Sequence, residues 1–241
     1  MLKTRGGPAK ARDYEINSLQ KEDSWRMFRI IGEMVEGFDK LSDIGPAVTI
    51  YGSARTRPDT ELYSKAEEIA RLLAKEGFSI ITGGGPGVME AANKGAAEAG
   101  AISIGLNIQL PEEQVCNVYA NRTITFNHFF VRKVMLVKYA SAFVMMPGGL
   151  GTLDEMTEVL TLIQTQKITP FPVILFDTRY WKGLLDWMRN VALAEGMVSE
   201  EDFHLLTVCD NPVEIVESIK TWYTKHQVRG RKAVSKVSEV S

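Results

Sequence analysis

The residues best suited to chemistry lie in "PGGLGTLDEMTE", Pro147 to Glu158. Gly148, Gly149 and Gly151 let backbone amides come close to a ligand. The helical pattern behind them supplies unpaired N–H groups and a positive dipole end. That combination suits a phosphate or another anion. Thr152 adds a hydroxyl, and Glu155 adds a carboxylate beside the anion site. Two roles are open to Glu155. With Thr152 it spells T-x-x-E, a capping box at a helix start. Alternatively it acts on whatever the glycines hold, as a carboxylate can in general acid–base work.

Two further apolar runs end in glycine and lead into helical patterns. One is "AVTIYGSA", with Gly52 and Ser53; the other is "FSIITGGGPG", with Gly84 and Gly85. A single such turn needs no more than tight strand–helix geometry. Three in one sheet point to a shared phosphate-binding edge, because ligands of open α/β sheets sit outside the C-terminal ends of the strands. "FFVRKVM" brings Arg132 and Lys133 in behind aromatic residues. A guanidinium fork there could bind phosphate, while an Arg–Lys pair on a helix also serves as a solvated face. The sequence holds no GxxxxGK[ST], no GxGxxG with an acidic residue about 20 positions on, and no GxSxG elbow with triad partners. Cys116, Cys209 and the three histidines are scattered without ligand spacing, so neither a metal nor a disulfide is expected.

These groups need a scaffold, and the pattern around them supplies one. Short, continuously apolar strands alternate with helical segments from "AVTIYGSA" to a final helix around residues 212–224. Such strands predict a parallel sheet covered on both faces. The expected architecture is α/β: a single Rossmann-like, doubly wound parallel sheet over residues 45–225. An N-terminal arm and helix precede it in residues 1–44, and residues 226–241 read as a flexible basic tail. In "WRMFRIIGEMVEGFDKL", Met27, Ile30, Ile31, Met34, Val35 and Phe38 form a stripe expected to dock on the sheet domain.

With 241 residues, 45% hydrophobic and 24% charged, the chain has the composition of a globular protein. A net charge of -2 gives no general attraction to nucleic acid or to an anionic membrane. Five basic residues from Lys225 to Lys236 read as a solvated end. No apolar run reaches the roughly 18–20 residues of a spanning helix, and the N-terminus lacks a signal-peptide core. A cytoplasmic address is the expectation.

"PGGLGTLDE" resembles the PGGxGTxxE signature of the LOG ("lonely guy") family. Those proteins are cytokinin riboside 5'-monophosphate phosphoribohydrolases, often mislabelled as lysine decarboxylases. "GSA" at 52–54, "GGGPGVMEAANKGA" at 83–96 and "VRKVML" at 131–136 resemble its other blocks, and the likeness spans residues 46 to 190. The resemblance implies a homodimer or higher assembly that needs no cofactor. Its substrate would be a purine nucleoside 5'-monophosphate, cleaved at the N-glycosidic bond to free base and ribose 5-phosphate. It also implies that Arg132 and Glu155 are the essential pair, with the phosphate held by Gly148, Gly149, Gly151 and Thr152. Gly52, Ser53, Gly84, Gly85, Glu90 and Lys133 would complete the binding site. Glu158 would either hold ribose hydroxyls or face solvent, and Arg132 would orient either the carboxylate or the nucleotide. Glu90 stands where short plant-like members often carry glycine. With the N-terminal helix and basic tail, it marks a longer bacterial-type member and makes AMP a more economical substrate than an N6-modified relative. Molybdenum-cofactor carriers also resemble this fold and its PGGxGT loop. The alternative is therefore a non-catalytic carrier of a phosphorylated ligand, with Glu155 only a cap.

Overall fold

The computed structural model of the protein describes residues 23–110 and 117–238; the expected arm before residue 23 and Cys116 lie outside the described residues. Seven strands form one all-parallel sheet: β1 (Ala47–Tyr51), β2 (Ser79–Thr82), β3 (Ser103–Ile108), β4 (Arg122–Phe126), β5 (Ala140–Met145), β6 (Val173–Phe176) and β7 (Thr207–Cys209). Their order is β4-β3-β2-β1-β5-β6-β7. The chain reverses its direction of growth between β1 and β5, where Thr49 pairs with Phe143 and Tyr51 with Met145. This is the topological switch point at which open α/β sheets bind ligands.

The side-chain period of two fixes which helices cover which face. Val48 and Ile50 point into the layer formed by α2 (Glu61–Lys75), α3 (Val88–Glu98) and α7 (Pro212–Ser238). Ala47 and Tyr51 point the other way, toward α1 (Asp23–Leu41), α4 (Phe129–Lys138), α5 (Leu150–Gln164) and α6 (Thr178–Trp187). Thr49 shares that second face and donates its hydroxyl to Leu136 O on α4 at 2.8 Å. Of the strands at the switch point, β1 is wholly buried and β5 is buried except at Ser141, as a sheet covered on both sides requires.

Two expectations are corrected. The helix foreseen over residues 212–224 continues to Ser238, so the segment read as a flexible tail from residue 226 is helical as far as that residue. "KHQVRGRKAVSK" contains no proline and is rich in good helix formers, so nothing in it stops the helix. The second concerns α1. Its buried line runs through Glu33, Gly37 and Leu41, with Ile30 and Met34 packed beside it. Met27, Ile31, Val35 and Phe38, expected to dock on the domain, are exposed instead. Glu33 explains the rotation. Its carboxylate accepts hydrogen bonds from Asn127 N at 3.2 Å, Asn127 Nδ2 at 2.8 Å and His128 N at 3.2 Å, and Nδ1 of His128 lies 3.1 Å away. A buried carboxylate with that many donors is costly to turn outward. Among the described residues no helix is long and apolar enough to cross a membrane.

Candidate active site

Three loops meet at the C-terminal ends of β1, β2 and β5, and Ser53 ties them together. Its N–H donates to Pro147 O at 3.0 Å, its carbonyl accepts from Val88 N at 3.0 Å, and its hydroxyl accepts from Arg55 N at 3.0 Å. The chain can run this close only because of its glycines. A Cβ at Gly52 would lie 2.5 Å from Val88 Cγ1. Gly87 has φ +70°, and a Cβ there would strike the Ser53 carbonyl. Gly84, also at positive φ, donates its N–H to Thr82 Oγ1 at 3.0 Å. Thr82 donates in turn to Asn93 Oδ1 at 2.5 Å, within a buried network that takes in Ser103 and Asn117.

Glu155 is not half of a capping box. Helix α5 begins at Leu150 behind Gly149, and no side chain caps it. Thr152 is therefore already in the first turn and Glu155 in the second, too far along to reach the N-cap amide. Glu155 is 7% exposed, and its Oε2 has no hydrogen-bond partner. Burial pushes its carboxyl up to about 7, against the pull of Arg132 and Lys133 and with a further push from Glu158 and Asp154. The first turn of α5 carries no acidic residue, and Thr152 fills the space that a side chain at position 148 would need. The α5 N-terminus is thus left open to an anion. The carbonyl of Gly148 is held by the hydroxyl of Tyr180, a contact made from α6.

Arg132 lies across the cluster. Its Nε donates to Leu106 O at 2.6 Å and its Nη2 to Gly83 O at 3.4 Å, so the guanidinium spans the ends of β3 and β2. Burial works against its charge, while Glu155 and then Tyr51 favour it. Lys133 reaches Asp154 Oδ1 at 3.0 Å and Glu158 Oε2 at 3.3 Å, linking α4 to α5. Glu158 Oε2 is buried, and its contact with Lys133 is an ion pair without hydrogen-bond alignment.

Of the residues singled out from sequence, Gly52, Ser53, Gly84, Gly85, Gly148, Gly149, Gly151, Thr152, Arg132, Lys133, Glu155 and Glu158 border this one edge. Glu90, in the first turn of α3, accepts from the hydroxyl of Tyr63 in the first turn of α2 at 2.9 Å, a contact that braces the two helix starts. The sequence reading missed Tyr51. This residue is 5% exposed, its hydroxyl has no partner, and its ring stacks near Phe143 with centroids 6.5 Å apart. Burial first, then the charges of Glu155 and Glu158, keep its phenol protonated, with Arg132 opposing. A polar aromatic ending an apolar strand just before glycine was the available signal.

A family model described as "Possible lysine decarboxylase" matches residues 89–219. An uncharacterized protein of Archaeoglobus fulgidus is 34% identical over 103 residues, 42% of this chain and 66% of its own. A cytokinin riboside 5'-monophosphate phosphoribohydrolase of Mycobacterium marinum is 29% identical over 167 residues, covering 68% of this chain and 88% of its own. Among solved structures, the molybdenum cofactor binding protein of Rippkaea orientalis superposes with a TM-score of 0.53 at 25% identity. That match covers 73% of this chain and 96% of the other.

Proposed function

The chain belongs to the family described as possible lysine decarboxylase, the LOG family, and from that premise we propose that it hydrolyses the N-glycosidic bond of a purine nucleoside 5'-monophosphate. One observation carries the reading. A buried carboxylate, Glu155, has a free oxygen and a carboxyl poised near neutrality, beside an arginine and in the same helix whose open N-terminus suits a phosphate. The phosphate would sit on the amides of Gly149, Gly151 and Thr152, which places the sugar over the second turn of α5. Breaking the bond to the base builds positive charge at C1′. Ionised Glu155 stabilises that charge and accepts a proton from the attacking water. Arg132 favours the ionised form of Glu155 against burial and ties β3 to the end of β2. The name carried by the M. marinum relative supports this class of reaction.

Incubation with AMP, followed by chromatography, tests the proposal: free adenine and ribose 5-phosphate are expected in equal amounts. Binding of AMP without release would favour the carrier reading, which the likeness to the R. orientalis protein supports. We also propose a homodimer. Trp25, Phe28, Ile31 and Val35 on α1 and Phe129 and Phe130 on α4 leave a large apolar surface exposed on adjoining helices. Light scattering is expected to give twice the mass of the chain.

A further inference from the structure

We propose that Tyr51 is a catalytic residue whose hydroxyl, with Glu155 Oε2, holds the attacking water. This inference rests on the hydrolase reading above. Tyr51 is the last residue of β1, on the strand face that meets α4 and α5, and it pairs with Met145 just before the Pro147–Gly148 turn. Its ring is buried and stacks near Phe143, which limits where the hydroxyl can point. Two buried polar atoms without a partner belong to this face, Tyr51 Oη and Glu155 Oε2; a third, Glu158 Oε2, has no hydrogen bond but is ion-paired with Lys133 at 3.3 Å. Buried polar atoms are ordinarily partnered, and unpartnered ones ask for a ligand or an ordered water. Two of the three can only accept while ionised; the phenol can donate. A water donating to the carboxylates and accepting from Tyr51 satisfies all of them and keeps one lone pair free for attack.

In the reaction, the water oxygen bonds to C1′ as the C1′–N bond breaks, and that electron pair leaves with the base. One water proton passes to Glu155, and the base takes up a proton from solvent. Tyr51 keeps its own proton throughout and fixes the direction of the lone pair. Its phenol remains a donor at any working pH because burial and two neighbouring carboxylates oppose its ionisation.

The experiment is Tyr51→Phe, with kcat and KM measured on AMP, AMP affinity by calorimetry and the thermal midpoint by circular dichroism. Loss of one buried hydrogen bond to the reacting water lowers kcat by about 10- to 100-fold. The dissociation constant for AMP stays within about twofold. The thermal midpoint stays level or rises, because an unpartnered buried hydroxyl is removed. An unchanged kcat in an active wild type overturns the proposal while leaving the hydrolase reading intact. Weaker AMP binding with kcat retained also overturns it, placing the hydroxyl on the nucleotide. A wild type that releases no adenine overturns both.

Discussion

Glu155→Gln lowers kcat for AMP cleavage by about 100- to 10,000-fold, the range expected for loss of a positioned general base. The amide matches the carboxylate in shape, so the pocket survives, but it can neither accept the water's proton nor carry the charge that stabilises C1′. Before mutation, the wild-type rate climbs with pH on a limb centred near 7, because only ionised Glu155 is active and its carboxyl is pushed up to about 7. The same shift links activity to stability. Below about 4.5, the ordinary value, folded and unfolded chains both hold the proton and there is no penalty. Between there and 7, the folded protein retains a proton that the unfolded chain has released. Wild-type stability therefore falls across that window as pH rises. Above 7 the full cost of a buried carboxylate applies, on the order of 3 kcal/mol for a shift of this size. Glu155→Gln is thus expected to be less active and, above pH 7, more stable, with the gain vanishing below pH 4.5. Urea unfolding at pH 4 and pH 8 checks the pair; equal stability differences at both would remove burial as the origin of the shift.

Arg132→Lys lowers kcat/KM by roughly 100- to 1,000-fold, as removal of a preorganised electrostatic group does. Lysine keeps the charge and loses the fork. Arg132 sends Nε to Leu106 O and Nη2 to Gly83 O, two directions that a single ammonium cannot serve. Arg132 is also the leading influence holding Glu155 ionised against burial. Arg132→Ala therefore moves the acidic limb of the rate profile to higher pH, beyond 7, besides lowering the plateau. A profile that drops without moving would mean that Arg132 contacts only the nucleotide.

Much of this edge was legible in the sequence because its signals are local. Glycine-ended apolar runs announce strands that stop at a ligand edge, and β1 and β2 end just before Gly52 and Gly83, as those runs imply. What failed depended on distant partners. T-x-x-E looked like a cap because nothing polar marks the true start of α5; Gly149 begins the helix with backbone alone. In α1, two apolar stripes compete for the inside, and a glutamate decides between them by bonding residues 94 and 95 positions away. No periodicity measures that. Tyr51 leaves only a faint local mark, a polar aromatic before glycine, and gains its meaning from Glu155 and Glu158, which reach it from α5.

The fit between Gly83 and Arg132 bears on how the guanidinium is held. A Cβ at position 83 would meet Nη2 of Arg132, although 49 residues separate the two. A side chain at 83 therefore displaces Nη2, the far end of the arginine, and takes away its contact with the Gly83 carbonyl, while Nε can keep its bond to Leu106 O. Glycine at 83 thus acts as a seat for one arm of the fork, and what it sets is the tilt of the guanidinium plane and not whether the arginine stays.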